Sequence, residues 1–96
     1  MEYLQAVKTR LAINFTEADE DLLQLIDDAK HRLTAWTGKK SFNPSGTTVE
    51  DGLANGLIPE YVRYARSGAA DMFRKNHLDI ILNLQLEVAK NANPTE

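Results

Sequence analysis

The hydrophobic positions of the chain follow a helical period in its first half. Near the N-terminus, Leu4, Val7 and Leu11 recur at helical spacing, which predicts a short first helix from residue 2 to about residue 12. A second apolar stripe predicts a longer helix that ends at Gly38, where glycine takes the left-handed C-terminal conformation without steric cost. The stripe consists of Leu22, Ile26, Ala29, Leu33 and Trp36.

Four carboxylates stand within the sequence TEADED at residues 16–21, where this second helix begins. Acidic side chains in a first turn face the exposed amides and the positive end of the helix dipole, and each contributes roughly 0.3 to 1 kcal/mol. Thr16 is the expected N-cap, with Asp19 three positions later. A metal site would need ligands from separated elements or a calcium-loop pattern with its glycine. We therefore interpret the carboxylates as a helix start.

A long loop is predicted between the second and third helices. Residues 38–58 carry four of the five glycines together with Asn43 and Pro44, and residues 48–53 could form one helical turn within them. Pro59 suits the first position of a third helix that runs to about residue 76. Gly68 would then lie inside that helix, and a close backbone crossing would explain it. Apolar positions mark one face of this helix: Val62, Ala65, Ala69, Met72 and Phe73.

The last segment has two interpretations. Leu82, Leu84, Leu86 and Val88 alternate with polar residues, as in a strand, but the segment is rich in helix formers and poor in β-branched residues, which favours a helix. A helix here would be apolar over more than half of its circumference. We therefore expect these four residues to contact a neighbouring subunit or another protein, and we expect residues 91–96 to fray.

Composition bounds the fold class. The chain has 96 residues, 43% of them hydrophobic and 26% charged, and no cysteine, which predicts a single domain with a modest core. Together with the helical patterns above, this predicts an all-α domain built as a small bundle of about four helices. Nothing in the sequence approaches the length of a membrane span. The net charge of -3 would repel nucleic acid at long range.

No catalytic constellation is visible, so we expect neither an enzyme nor a metal or cofactor. The two histidines are His31, one turn after Asp27 and expected to form an exposed ion pair with it, and His77, at the junction before the last helix. The chain has no glycine-rich phosphate loop and no nucleophile elbow. Three aromatic residues are expected in the core or at an interface: Trp36, Tyr61 and Tyr64.

A small helical DNA-binding or regulatory domain is the alternative. Basic residues occur at 30–32, 39–40, 63, 66, 74 and 75. However, the predicted connection between the second and third helices is much longer than the turn of a helix-turn-helix motif.

Two long segments resemble a known family. They are LQAVKTRLAINFTEADEDLLQLIDDAKHRLTAWTG at residues 4–38 and LIPEYVRYARSGAADMFRKNHLDIILNLQLE at residues 57–87. Their short first helix, acidic helix start and aromatic-Thr-Gly helix end resemble the small helical head-tail connector proteins, also called adaptor or head-completion proteins, of long-tailed bacteriophages and prophages. Where many relatives have arginine after Thr-Gly, this chain has Lys39.

The resemblance implies a structural virion protein at the head-tail interface, assembled in the host cytoplasm. Copies would form a ring, dodecameric in the virion, beneath the portal protein and would offer a surface to the next tail-side protein. Packaged DNA would pass through the extended channel without sequence-specific binding. The expected subunit or portal interface is Leu82, Leu84, Leu86 and Val88, and the expected channel or partner loop contains Lys39, Lys40, Phe42 and Asn43.

Overall fold

The computed structural model describes residues 2–92, and this part of the chain contains five α-helices and no strand. The all-α prediction is therefore confirmed, as is the helical interpretation of the last segment. Residues 93–96 of the expected frayed tail lie outside the described residues, whereas residues 91 and 92 belong to the last helix. The helices are α1 (Tyr3–Arg10), α2 (Asp19–Thr37), α3 (Val49–Arg66), α4 (Ala70–Asn76) and α5 (Leu78–Ala92).

The ends of α2 confirm one expectation and correct another. Its C-cap, Gly38, has a left-handed φ of 85°, and its N–H donates to the Thr34 carbonyl at 2.9 Å, as expected. Thr16 is not the N-cap, because the helix begins only at Asp19, whose N–H donates to the Thr16 carbonyl at 3.1 Å. The first turn is acidic as predicted, and Lys8 of α1 reaches the Asp19 carboxylate at 2.7 Å. The acidic turn therefore also ties α1 to α2.

The third helix begins at Val49 rather than at Pro59, so the predicted 38–58 loop is wrong in its second half. The side-chain oxygen of Thr48 accepts a hydrogen bond from the Asp51 N–H at 3.1 Å and caps the helix. Ala54, Leu57 and Ile58 are buried on its inner face. Capping and burial outweigh the low helix propensity of the glycines and of Pro59, which lies inside the helix and is itself buried. The connection from α2 is thus residues 38–48.

Gly68 divides the predicted third helix into α3 and α4. Its φ of +72° is left-handed, and no atom lies within 4 Å of the position that a Cβ would occupy there. The expected close backbone crossing is therefore wrong. Glycine is required because an L side chain rarely adopts this backbone conformation. The break allows α4 to turn back and pack against α3.

A single core joins the helices, with α2 packed against α1, α3 and α5. Phe73 of α4 lies within it, in edge-to-face contact with Tyr61 and Tyr64 and stacked near Trp36. Tyr61 is buried in the core, whereas Trp36 and Tyr64 are half-buried and pack against it. His77 lies at the junction of α4 and α5, as expected, and stacks on Phe73 with ring centroids 4.5 Å apart. Other buried core residues are Tyr3, Val7, Leu22, Ile26, Ala29, Leu33, Ala54, Leu57, Ile58, Val62, Ile81 and Leu84.

The ion pair on α2 differs from the predicted one by one position. Asp28 pairs with Arg32 at 3.2 Å, while His31 is exposed. The Asp28 carboxylate also accepts a hydrogen bond from the Tyr61 hydroxyl, and the Arg32 guanidinium lies 5.5 Å from the centre of the Tyr61 ring. Because Tyr61 of α3 contacts both Asp28 and Arg32, packing against α3 favours this ion pair over the predicted pair of Asp27 and His31.

Candidate interaction surfaces

The last helix has two apolar faces, and only one of them packs within the domain. Ile81 and Leu84 are buried in the core. On the other side, three leucines spaced one turn apart remain exposed, and we call them the leucine stripe: Leu78 (43% exposed), Leu82 (45%) and Leu86 (67%). Exposed large apolar residues in a contiguous row are typical of contact surfaces.

The predicted interface set does not form one face. Residues two positions apart on a helix point about 200° from each other, so Leu82 and Leu86 lie opposite Leu84 and Val88. Leu84 is fully buried and belongs to its own core, and Val88 packs against that core beside Gly38. Leu78, which was not in the predicted set, completes the stripe. Its spacing of i, i+4 and i+8 with the other two leucines was the signal that could have found it.

The expected loop residue Lys39 is buried rather than available to a channel. Its side chain is 5% exposed, and its ammonium nitrogen lies 2.9 Å from a carboxylate oxygen of Glu50 and 2.9 Å from one of Asp51. Asn91 of α5 donates to the other Glu50 oxygen at 2.6 Å. These ion pairs and the hydrogen bond from Asn91 therefore join the end of α2, the start of α3 and the end of α5. We call these four residues the Lys39 network.

Mutual stabilisation of these charges appears in their pKa values. Burial alone would lower the pKa of Lys39, but the bonds to Asp51 and Glu50 outweigh it, so the pKa of Lys39 is raised. The hydrogen bond from Asn91, and then the one from Lys39, lowers the pKa of Glu50. The hydrogen bond from Lys39 lowers the pKa of Asp51, with a smaller contribution from the Thr48 cap. All three groups are charged at neutral pH.

The rest of the loop is attached to the domain at two places. Phe42 is half-buried and packs against the core. The Asn43 carbonyl accepts from the Gly46 N–H at 3.0 Å and from the Asn55 side-chain amide at 2.9 Å, while its side-chain oxygen accepts from the Ser45 N–H. Among the four predicted loop residues, only Lys40 and Asn43 are exposed. These two remain the ones that can meet a partner.

Residues 2–92 show no arrangement typical of a metal site or of a membrane-spanning helix. No group of three or more histidine, aspartate or glutamate side chains is arranged there to hold a metal ion. Every buried side-chain nitrogen or oxygen in this range has a hydrogen-bond partner. None of the helices in the described range has both the length and the apolar character needed to cross a membrane.

The fold defines a small all-α protein that exposes apolar and charged side chains on its helices. Residues 1–91 match the family described as phage gp6-like head-tail connector protein, and the chain belongs to this family. No curated protein and no solved structure matches it.

Membership confirms the resemblance seen in the sequence. It gives the chain a structural role as a phage head-tail connector and a place in the virion. The family is one of structural phage proteins, and a connector role implies interaction with phage portal and tail proteins.

Proposed function

We propose that copies of this chain form a closed ring beneath the portal protein, extend the DNA channel and join the packaged head to the next tail-side protein. Family membership supports the connector role, and the leucine stripe is the observation that carries the assembly. In a ring each copy contacts the next through two different surfaces, and closure leaves no exposed end. We propose twelve copies in the virion, as the family resemblance implies.

The leucine stripe has the composition of an interface centre. Covering the exposed parts of three leucines would contribute a few kcal/mol, on the order of 1 kcal/mol for each. Asp79 and Lys90 are exposed polar residues of the same helix, and in our proposal they form the rim of such a contact. In our proposal Leu82 and Leu86 bind a neighbouring subunit or the portal, with Leu78 beside them.

The rest of the surface is compatible with a channel that binds DNA only weakly and with a second contact site for a partner protein. The net charge of -3 keeps affinity for DNA phosphates low, so that DNA can slide through. Lys40 and Asn43 are exposed on the short loop, and we propose them as contacts for the channel or the tail-side partner. The buried Lys39 and the half-buried Phe42 hold that loop in place.

The direct test compares two aspartate substitutions on α5. Leu86→Asp should abolish or strongly weaken ring formation, measured by native mass and by electron microscopy with and without portal protein, while the monomer stays folded. Asn83→Asp adds the same charge at an exposed site outside the stripe and should leave assembly intact.

Rings that persist in Leu86→Asp, and also in the double variant Leu82→Asp with Leu86→Asp, would refute the assignment of the stripe. A wild-type chain that forms no ring with portal protein but shifts duplex DNA in a gel, more weakly as salt rises, would support the alternative DNA-binding domain instead.

A further inference from the structure

A groove beside the C-terminal end of α3 gathers cationic side chains. We call it the arginine groove. Its volume is about 350 Å³, and a second groove of about 310 Å³ shares Arg66 with it. The residues that line the arginine groove include Arg10, Leu11, Ile13, Arg63, Arg66 and Ser67.

These arginines keep most of their hydrogen-bonding capacity. Glu60 stands between two of them, with one carboxylate oxygen 3.8 Å from Arg10 and 3.5 Å from Arg63. Both distances exceed those of ordinary N–H···O hydrogen bonds, and a guanidinium has five N–H donors. The side chains of Arg10 and Arg63 are 53% and 55% exposed. Glu60 therefore holds two guanidinium groups near each other without forming a hydrogen bond of ordinary length to either of them.

Most of the other cations already have partners. Lys8, Arg32 and Lys39 are in ion pairs, and Lys30 and Arg74 lie over aromatic rings. The three remaining lysines are scattered over the loop and the ends of α4 and α5: Lys40, Lys75 and Lys90. Although the chain is negative overall, positive charge that can bind a partner is therefore concentrated in the arginine groove.

We propose that the arginine groove binds an acidic peptide segment of a partner protein. Its carboxylates would meet Arg10, Arg63 and Arg66, whose planar guanidinium groups match carboxylates in paired hydrogen bonds. An apolar side chain of the segment would cover Leu11 and Ile13, which are half-buried beside the arginines. The apolar side chains of Leu11 and Ile13 beside the arginines suit a peptide that carries both acidic and apolar residues. They suit duplex DNA less well, because its phosphate backbone has no apolar group to cover them.

The partner's place in the virion rests on the connector role proposed above, but the binding can be measured on the isolated chain. The probe is a fluorescein-labelled peptide of alternating glutamate and leucine, followed by fluorescence anisotropy, with a glutamine-for-glutamate peptide beside it. The wild type should bind only the acidic peptide, and more weakly as salt rises. The variant Arg63→Gln with Arg66→Gln should lose about tenfold or more in affinity.

A matched variant supplies the control. Lys75→Gln with Lys90→Gln also removes two positive charges from the last turns of helices, here α4 and α5, and should bind the acidic peptide like the wild type. Circular dichroism should show that both double variants remain folded. Equal losses in the two variants would overturn the proposal, because the attraction would then be a general charge effect.

Two results would assign the groove to another occupant and would also overturn the proposal. In one, duplex DNA binds more tightly than the peptide and loses affinity in the arginine variant. In the other, the wild type self-associates, the arginine variant is monomeric, and neither binds the peptide. Peptide binding that needs the arginines, in a chain that forms no ring, would support the groove while refuting the ring.

Discussion

The ammonium nitrogen of Lys39 lies 2.9 Å from a carboxylate oxygen of Glu50, although Lys39 stands at the start of the α2–α3 loop and Glu50 lies just beyond its end. The lysine follows the C-cap of α2, and the glutamate is in the first turn of α3. Because Asn91 of α5 holds the same carboxylate, this contact fixes three helix ends together. The loop is therefore part of the folded domain.

We predict that Lys39→Met lowers the free energy of unfolding by about 1 to 3 kcal/mol, because Glu50 and Asp51 would keep their charges near each other without a cation. The exposed neighbour supplies the control, since Lys40→Met should change stability by no more than about 0.5 kcal/mol. Urea unfolding followed by circular dichroism measures both. Equal stability of the two variants would show that the buried ammonium contributes nothing.

The same network predicts how stability depends on pH. The pKa values of Glu50 and Asp51 are lowered in the folded chain from ordinary values of 4.5 and 3.8. Their contribution is therefore fully present above about pH 4.5 and is lost as the pH falls through the lower folded values. In Lys39→Met the pKa of Asp51 loses its main cause of depression, so the acid loss of stability should be shallower.

Urea midpoints measured from neutral to acid pH check this prediction. The pKa of Asp28 is also lowered, chiefly by the Tyr61 hydroxyl, but Lys39 is not among the groups that shift it, so Asp28 should contribute equally in both proteins. The difference between the two curves thus isolates the Lys39 network. Parallel curves would contradict the prediction.

Much of the fold was predictable because it depends on local periodicity. The stripe from Leu22 to Leu33, the glycine that ends α2 and the helical last segment follow from spacing and propensity alone. The start of α3 was missed because Gly52, Gly56 and Pro59 oppose a helix locally. What overrides them is burial on the inner face and the ion pairs of Lys39, which a single sequence does not display.

The surfaces were less predictable than the fold. The alternation of Leu82, Leu84, Leu86 and Val88 has the period of a strand, so it cannot describe one face of a helix. The carboxylate partners of Lys39 lie beyond the loop and are brought to it by the packing of α3 on α2. The arginine groove depends likewise on packing, because α1 and the end of α3 supply its cations from distant positions in the sequence.

The glycines of α3 and the glycine after it should respond oppositely to alanine. Gly56 lies inside the helix with no atom within 4 Å of a Cβ position, so Gly56→Ala should stabilise the chain by about 1 kcal/mol. Gly68 has a φ of +72°, so Gly68→Ala should destabilise it by about 1 to 2 kcal/mol. Thermal unfolding of both variants measures the contrast, and a stabilising Gly68→Ala would mean that the left-handed break is not required.

Leu84 and Leu86 are two positions apart on α5 and should differ sharply in their effects. Leu84 has no exposed surface, so Leu84→Ala should lower the free energy of unfolding of the isolated chain by about 2 to 5 kcal/mol. Leu86 is 67% exposed, so Leu86→Ala should cost less than about 0.5 kcal/mol there. If the leucine stripe is covered in the assembly, Leu86→Ala should weaken association instead, and sedimentation should detect this at unchanged monomer stability. A monomer destabilised equally by both substitutions would show that Leu86 belongs to the core, and the stripe would then offer no surface to a partner.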